Sequence, residues 1–239
     1  MIPIFTSIMG RKMPFTYLLV LLSLMGQAQI RFNPQAGISV LSIDKAKYKD
    51  VNTIVEGSFS AEIGVMSGVD MRIGNKIYFQ PGVFYSKSVS LANIKETVLG
   101  VGDTVLSVSY YADKLIRTSI KAKALIGFNP INKRLFKLRM MAGPTYDFIV
   151  GASNKGTEIN VDTRNFENGS FNLDAAIGID IYKLTIETGF TQGFTEAFDK
   201  NKFYGFDSKY SGYYITIGFL IGKAKTEKDN DEKKEDSNE

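Results

Sequence analysis

Asp174 and Asp180 lie on one face of a run that alternates apolar and polar residues, and paired carboxylates are common equipment for acid–base chemistry. Their spacing argues against that use. Six residues of extended chain set them roughly 20 Å apart, well beyond the separation at which two carboxyl groups act on one scissile bond. The chain has no histidine and no cysteine, so it can assemble neither a Ser-His or Asp-His active site nor a thiol nucleophile or thiolate metal site. Gly100-Val101-Gly102-Asp103 has the glycines of a phosphate loop, but it lacks the strand-to-helix setting and the Gly-Lys-Ser/Thr that would hold a nucleotide; it reads as a loop tip. Asn168-Gly169-Ser170 matches the glycosylation triplet and reads as a turn. The expectation is a non-enzymatic protein with no catalytic residues, no cofactor and no metal.

What remains is a set of charges recurring with a two-residue period: Glu62, Asp70, Arg72, Arg117, Lys121, Lys123, Lys137, Arg139, Asp147, Asp174, Asp180 and Glu187, six of each sign. A period of two places them on one face of strands. Opposite them runs an apolar face. From Phe59 to Ile73 the odd positions are apolar or small, Gly74-Asn75-Lys76 makes a tight turn, and Ile77, Phe79, Val83 and Tyr85 resume the apolar face. The same alternation marks Ile30–Val40, Ile116–Phe128, Phe136–Val150, Phe171–Ile181, Leu184–Thr191 and Tyr213–Ile221, about eight strands in all. Several exceed the five or six residues usual in globular proteins and suit a tilted bilayer crossing of roughly nine to eleven.

Short turns follow the second, fourth (Asn129–Arg134) and sixth (Tyr182-Lys183) strands. Polar connections follow the first (Asp44–Glu56), third (Lys87–Ser109), fifth and seventh. This asymmetry suits an all-β, eight-stranded antiparallel up-and-down transmembrane β-barrel, with short periplasmic turns, long external loops and both termini periplasmic. The polar face mixes charges with Gly64, Gly68, Gly82, Gly178, Gly189 and Gly218, which suits a crowded lumen better than a solvated surface. Phe59, Tyr85, Phe128, Phe136, Phe148, Phe171 and Tyr213 gather toward strand ends on the apolar face, as interfacial girdles require. Turning the fourth strand over would place Arg117, Lys121 and Lys123 in hydrocarbon at roughly 2–4 kcal/mol each near the midplane, so register is locked.

The ends of the chain read differently. Arg11 and Lys12 precede an apolar run, Tyr17–Met25, and Gly26-Gln27-Ala28 offers small residues for cleavage, so residues 1–28 are expected to be a cleavable signal peptide and 29–222 the barrel. Residues 223–239, rich in Lys, Glu, Asp and Asn, are expected to be a disordered periplasmic tail. A net charge of +4 spread over 239 residues forms no stripe for nucleic acid.

The hairpin ending Ile77-Tyr78-Phe79-Gln80-Pro81-Gly82-Val83-Phe84-Tyr85-Ser86, the strand Leu115–Phe128 and the segment Phe136–Gly151 with Ala142-Gly143-Pro144 resemble the PorT-like outer-membrane β-barrel domain proteins of Gram-negative bacteria. The resemblance covers Gln29–Gly222 and implies an eight-stranded barrel in the outer membrane. Some members look like accessory parts of a type IX secretion system exporting adhesins and proteases. The charged extension after the last strand departs from barrels that finish on an aromatic residue. Two functions follow as alternatives. One is a structural or interaction scaffold, set in outer-membrane lipid, that binds another envelope or secretion protein through its external loops or C-terminal tail. The other is a narrow pore for ions or small solutes. Bulky inward residues (Met66, Arg72, Tyr78, Phe84, Arg139, Met141, Tyr214) favour the scaffold. Arg117, Lys121 and Arg139 are expected to be neutralised by Asp147, Asp174 and Glu187.

Overall fold

A computed structural model describes residues 30–43, 46–49, 52–155, 169–197 and 209–222. The expected signal peptide and tail lie outside the described residues. Nine strands occur among these residues: β1 (Ile30–Ile43), β2 (Ala46–Lys49), β3 (Thr53–Gly74), β4 (Ile77–Leu99), β5 (Val105–Asn132), β6 (Phe136–Asn154), β7 (Gly169–Ile181), β8 (Leu184–Glu196) and β9 (Lys209–Phe219). Eight of them close a ring. Each ring strand pairs antiparallel with its neighbour in sequence, and β1 joins β9 on one edge and β3 on the other. The short β2 pairs with β3 above the end of β1, from Ala46↔Gly57 to Lys49↔Ile54. Closure matters because it leaves no unpaired backbone edge in hydrocarbon.

The distribution of residues is that of a globular protein turned inside out. Arg72, Asp174 and Glu187 are fully buried in the lumen, whereas Ile63, Ile77 and Ile126 are 65–70% exposed on the outside. Outward positions of β6 from Phe136 to Val150 and of β7 from Phe171 to Ile181 carry no charge. The β6 run rises about 45 Å along the strand, enough at a barrel's tilt to cross an apolar band about 25 Å tall. No helix among the described residues is long and apolar enough to span a membrane; the strands do the crossing.

Turns tie one end together. The Gly74 φ of 121° closes β3 onto β4, and Tyr182 adopts a φ of 56° between β7 and β8. Backbone bonds link adjacent turns, from Tyr182 N to Leu135 O (2.8 Å) and from Asn129 N to Lys76 O (2.8 Å). The β5–β6 turn falls at Lys133–Leu135, overlapping only the end of the stretch Asn129–Arg134 expected to hold it. β5 continues through Pro130 to Asn132 because the register breaks between Phe128 and Ile131, and such a break accommodates a residue with no N–H to donate.

At the opposite, loop end, two expectations are corrected. The polar stretch Lys87–Ser109 is a hairpin. β4 and β5 stay paired up to Val98↔Ser107 and Leu99↔Val105, and the 3₁₀ turn Val101–Asp103 closes the tip, with Gly102 at φ 72°. Likewise β2 and the start of β3 occupy much of the expected loop Asp44–Glu56. Strands β3 to β6 therefore run 19–28 residues against 11–14 for the other ring strands, and their surplus stands beyond the barrel.

A further correction concerns β3. Its register against β4 shifts between Glu62 and Val65, and one extra residue reverses which parity faces inward. Below the bulge Met66, Asp70 and Arg72 point into the lumen; above it Val55 and Phe59 do. Phe59 is thus buried rather than lipid-facing. Glu62 leaves the lumen set and meets Lys114 at 2.6 Å on the outside, both side chains partly exposed.

Candidate functional site

From the turn end upward, the lumen is built of interlocked charges. Arg72 Nη1 donates to both oxygens of Asp180 (3.1 and 2.9 Å), and Arg139 Nε donates to Asp180 Oδ1 at 2.9 Å. Thr185, one strand over from Asp180, accepts from Arg72 Nη2 (3.1 Å) and Arg139 Nη2 (2.7 Å) and donates to Asp180 Oδ1 (2.8 Å). Arg139 also reaches Glu187 at 3.4 Å. Glu187 receives Gln80 Nε2 and the Tyr214 hydroxyl, each at 3.3 Å. Asp70 is held by the amides of Gln35, Gln80 (2.9 Å) and Asn33 (3.3 Å).

The next layer is carried by lysines. Lys123 Nζ lies 3.8 Å from Glu187 and over the rings of Phe84 (4.5 Å) and Tyr214 (4.2 Å), contacts that compensate for lost hydration. Lys121 sits 3.6 Å from Asp174, 4.0 Å from Asp147 and 3.3 Å from the Thr191 hydroxyl. Arg117 Nη2 meets Asp147 at 3.3 Å, and its guanidinium stacks 3.9 Å above the Tyr210 ring.

Large side chains fit because glycines lie beneath them. A Cβ on Gly178 would fall 2.3 Å from Arg139 Nη2, and one on Gly189 would fall 2.5 Å from the Tyr214 ring. Met66, Phe84, Leu125, Met141, Ala176 and Tyr214 form an apolar knot inside the same section. Above Arg117 the lumen turns apolar again, with Ile43, Val55, Phe59, Ala92, Ile94, Leu115, Ala197 and Tyr210 packed across it. The interior is filled by charge at one end and capped by hydrocarbon at the other.

Of the twelve charges placed inward from sequence, the structure gathers Asp70, Arg72, Arg117, Lys121, Lys123, Lys137, Arg139, Asp147, Asp174, Asp180 and Glu187 in the lumen; Glu62 alone is displaced. Sequence reasoning missed Arg31 and Asp113, both buried. Arg31 shares the inward parity of β1 with Asn33 and Gln35, so alternation could have found it. Asp113, which accepts from Asn154 Nδ2 at 2.8 Å, lies just past the stretch Lys87–Ser109 expected to be a loop. Asp174 and Asp180 each have their own cationic partner and do not converge on a common point.

A second site lies on the hairpin, outside the lumen. Lys47, Glu56, Lys95 and Tyr110 form one cross-strand row over β2 to β5. With Ser58, Asn93, Tyr111 and Ala112 they line a concavity of about 790 Å³. Lys47 meets Glu56 at 2.8 Å and holds that exposed carboxyl below the usual range, Lys95 adding to the effect. Tyr110 is 72% exposed. Among the described residues no group of three or more His, Cys, Asp or Glu side chains could hold a metal.

A closed antiparallel ring, apolar outside and polar inside, defines a transmembrane β-barrel with a filled interior. The family model for the outer membrane protein beta-barrel domain matches residues 25–199, and the chain belongs to that family. Similar solved structures include Ail, the attachment invasion locus protein of Yersinia pestis, in complex with the heparin analogue sucrose octasulfate (12% identity, TM-score 0.39, covering 81% of this chain and 99% of that one). OprG of Pseudomonas aeruginosa (13%, 0.42, 82% and 97%) and Neisserial surface protein A (10%, 0.42, 79% and 96%) are also similar. No curated protein sequence matches the chain.

Proposed function

We propose that this barrel is a non-enzymatic scaffold of the outer membrane. It is closed to solutes and presents the β4–β5 hairpin to a protein partner at the cell surface, with its turns and chain ends in the periplasm. The observation that carries this reading is the division of labour along the barrel axis. The lumen is occupied by paired charges and capped by the Phe59 cluster, while the projecting hairpin carries a tyrosine-lined concavity with cations at its rim. Exposed tyrosines supply large contact areas at low entropic cost and are enriched at protein interfaces. The PorT-like resemblance of Ile77–Ser86 and Phe136–Gly151 makes a component of a secretion system the first partner to seek.

The test is site-specific photo-crosslinking in intact cells. A crosslinker replacing Tyr110 should yield a discrete protein adduct, while one replacing lipid-facing Ile126 should yield none. Purified protein in planar bilayers should show no stable conductance steps. Steady conductance together with no adduct from Tyr110 would overturn the scaffold in favour of a pore.

A further inference from the structure

Among the described residues, two buried cations at the turn end of the lumen have no carboxylate of their own. The lumen's buried cations are Arg31, Arg72, Arg117, Lys121, Lys123, Lys137 and Arg139, and its buried anions are Asp70, Asp113, Asp147, Asp174, Asp180 and Glu187, which leaves one cation in excess. Among the described residues, five of the seven cations have an ion pair; Arg31 and Lys137 have no ion pair, hydrogen bond or ring contact, although they are only 2% and 4% exposed. Arg31 Nε and Lys137 Nζ are left without a partner.

Their neighbours cannot supply one. Arg31 stands opposite Arg72 in the β1–β3 register, a like-charge pairing that is destabilising by itself. Lys137 stands opposite Asp180, but Asp180 already accepts three hydrogen bonds from Arg72 and Arg139 and one from Thr185, about the capacity of a carboxylate. Arg31 and Lys137 line one cavity of about 180 Å³ together with Arg134, Lys183 and the committed Asp180. That is many times the about 10–15 Å³ one water needs. The backbone around it is preformed, since Leu220 N donates to Lys183 O (2.7 Å) and Phe32 and Ile221 exchange bonds of 2.9 and 2.8 Å.

We infer that this cavity is a binding site for a phosphate group, held between Arg31 and Lys137 with Arg134 and Lys183 at its rim. A tetrahedral oxyanion supplies several acceptors and a charge of the missing sign, and an arginine with a lysine is the donor set such groups favour. The phosphate comes either from solution or from the headgroup of a lipid at the barrel rim, and both present the same chemistry.

The experiment measures the unfolding midpoint of purified protein in a neutral detergent while sodium phosphate replaces chloride at constant ionic strength. A parallel series adds phosphatidic acid against diacylglycerol of the same chains. The wild type should gain stability with saturation in one series. A response to inorganic phosphate assigns the site to the free ion; a response to phosphatidic acid alone assigns it to the lipid headgroup. Lys137→Met should be at least as stable as the wild type in chloride, because an unpartnered cation has gone, and should shift half-saturation by about tenfold or more. Arg31→Gln is the second variant and should weaken the response likewise. No response from the wild type in either series, or half-saturation in both variants unchanged from the wild type, overturns the site.

Discussion

Arg139 has little freedom to be anything else. It bridges Asp180 (2.9 Å) and Glu187 (3.4 Å) and lies across Gly178. Removing it leaves two carboxylates in a confined space with one fewer cation, and stranding a buried charge costs about 3–5 kcal/mol. Arg139→Ala should therefore lower the unfolding free energy in lipid vesicles by that order, taken from urea titrations followed by gel mobility of the unheated barrel. Gly178→Val should act through the same residue, since its side chain needs the space the guanidinium fills. The double variant should lose less than the sum of the two single losses, as residues sharing one network do. Additive losses would mean that Gly178 and Arg139 are energetically separate.

Among the elements, β3 is organised by its bulge. The lower half is held in register by Asp70 and Arg72, whose charges would meet hydrocarbon if that half turned over, so deletion of Ile63 should turn over only the upper half. Phe59 would then leave the cap. The chain has no native cysteine, which gives a clean readout. A cysteine at position 59 should resist a hydrophilic thiol reagent in the otherwise unchanged protein and react readily in the Ile63 deletion. The hairpin is expected to behave as an independent projection. Excising Lys95–Tyr110 and joining Ile94 to Tyr111 through Asn-Gly, a favoured two-residue turn, should leave the barrel's heat-modifiable mobility intact while abolishing crosslinks from neighbouring position Ala112.

For the whole molecule, the proposed closure to solutes would depend on two materials in series. The charged section satisfies polar groups that would otherwise draw in water, and the Phe59 cluster seals the end from which the hairpin rises. Eight strands leave an interior that side chains just fill. Arg117→Ala with Arg139→Ala should open the charged section at two levels, giving lower stability and intermittent leakage of small ions from loaded vesicles. Loss of the hairpin should give no leakage. Leakage from the hairpin variant and none from the double variant would place the seal in the wrong part of the molecule.

The two-residue period was enough to establish the ring strands, the three short turns and the inward placement of eleven of the twelve charges, because alternation is a local consequence of strand geometry and opposite faces meet opposite solvents. It was enough to draw Arg117, Lys121 and Arg139 onto the same interior as Asp147, Asp174 and Glu187. It could not place Glu62 or Phe59. Their facing depends on an extra residue in β3 relative to β4, and an insertion is defined only against a partner strand. Nor could it show the hairpin. Residues 87–109 are polar enough to read as a loop, and pairing from Ser88↔Arg117 to Leu99↔Val105 is a property of two segments together. The unpartnered pair Arg31 and Lys137 was hidden for the same reason. Each is an ordinary inward cation on its own strand, and only closure of the ring through β1 and β3 brings β1 across the lumen from β6 and the two cations to one cavity, where the lining carboxylate Asp180 is already engaged.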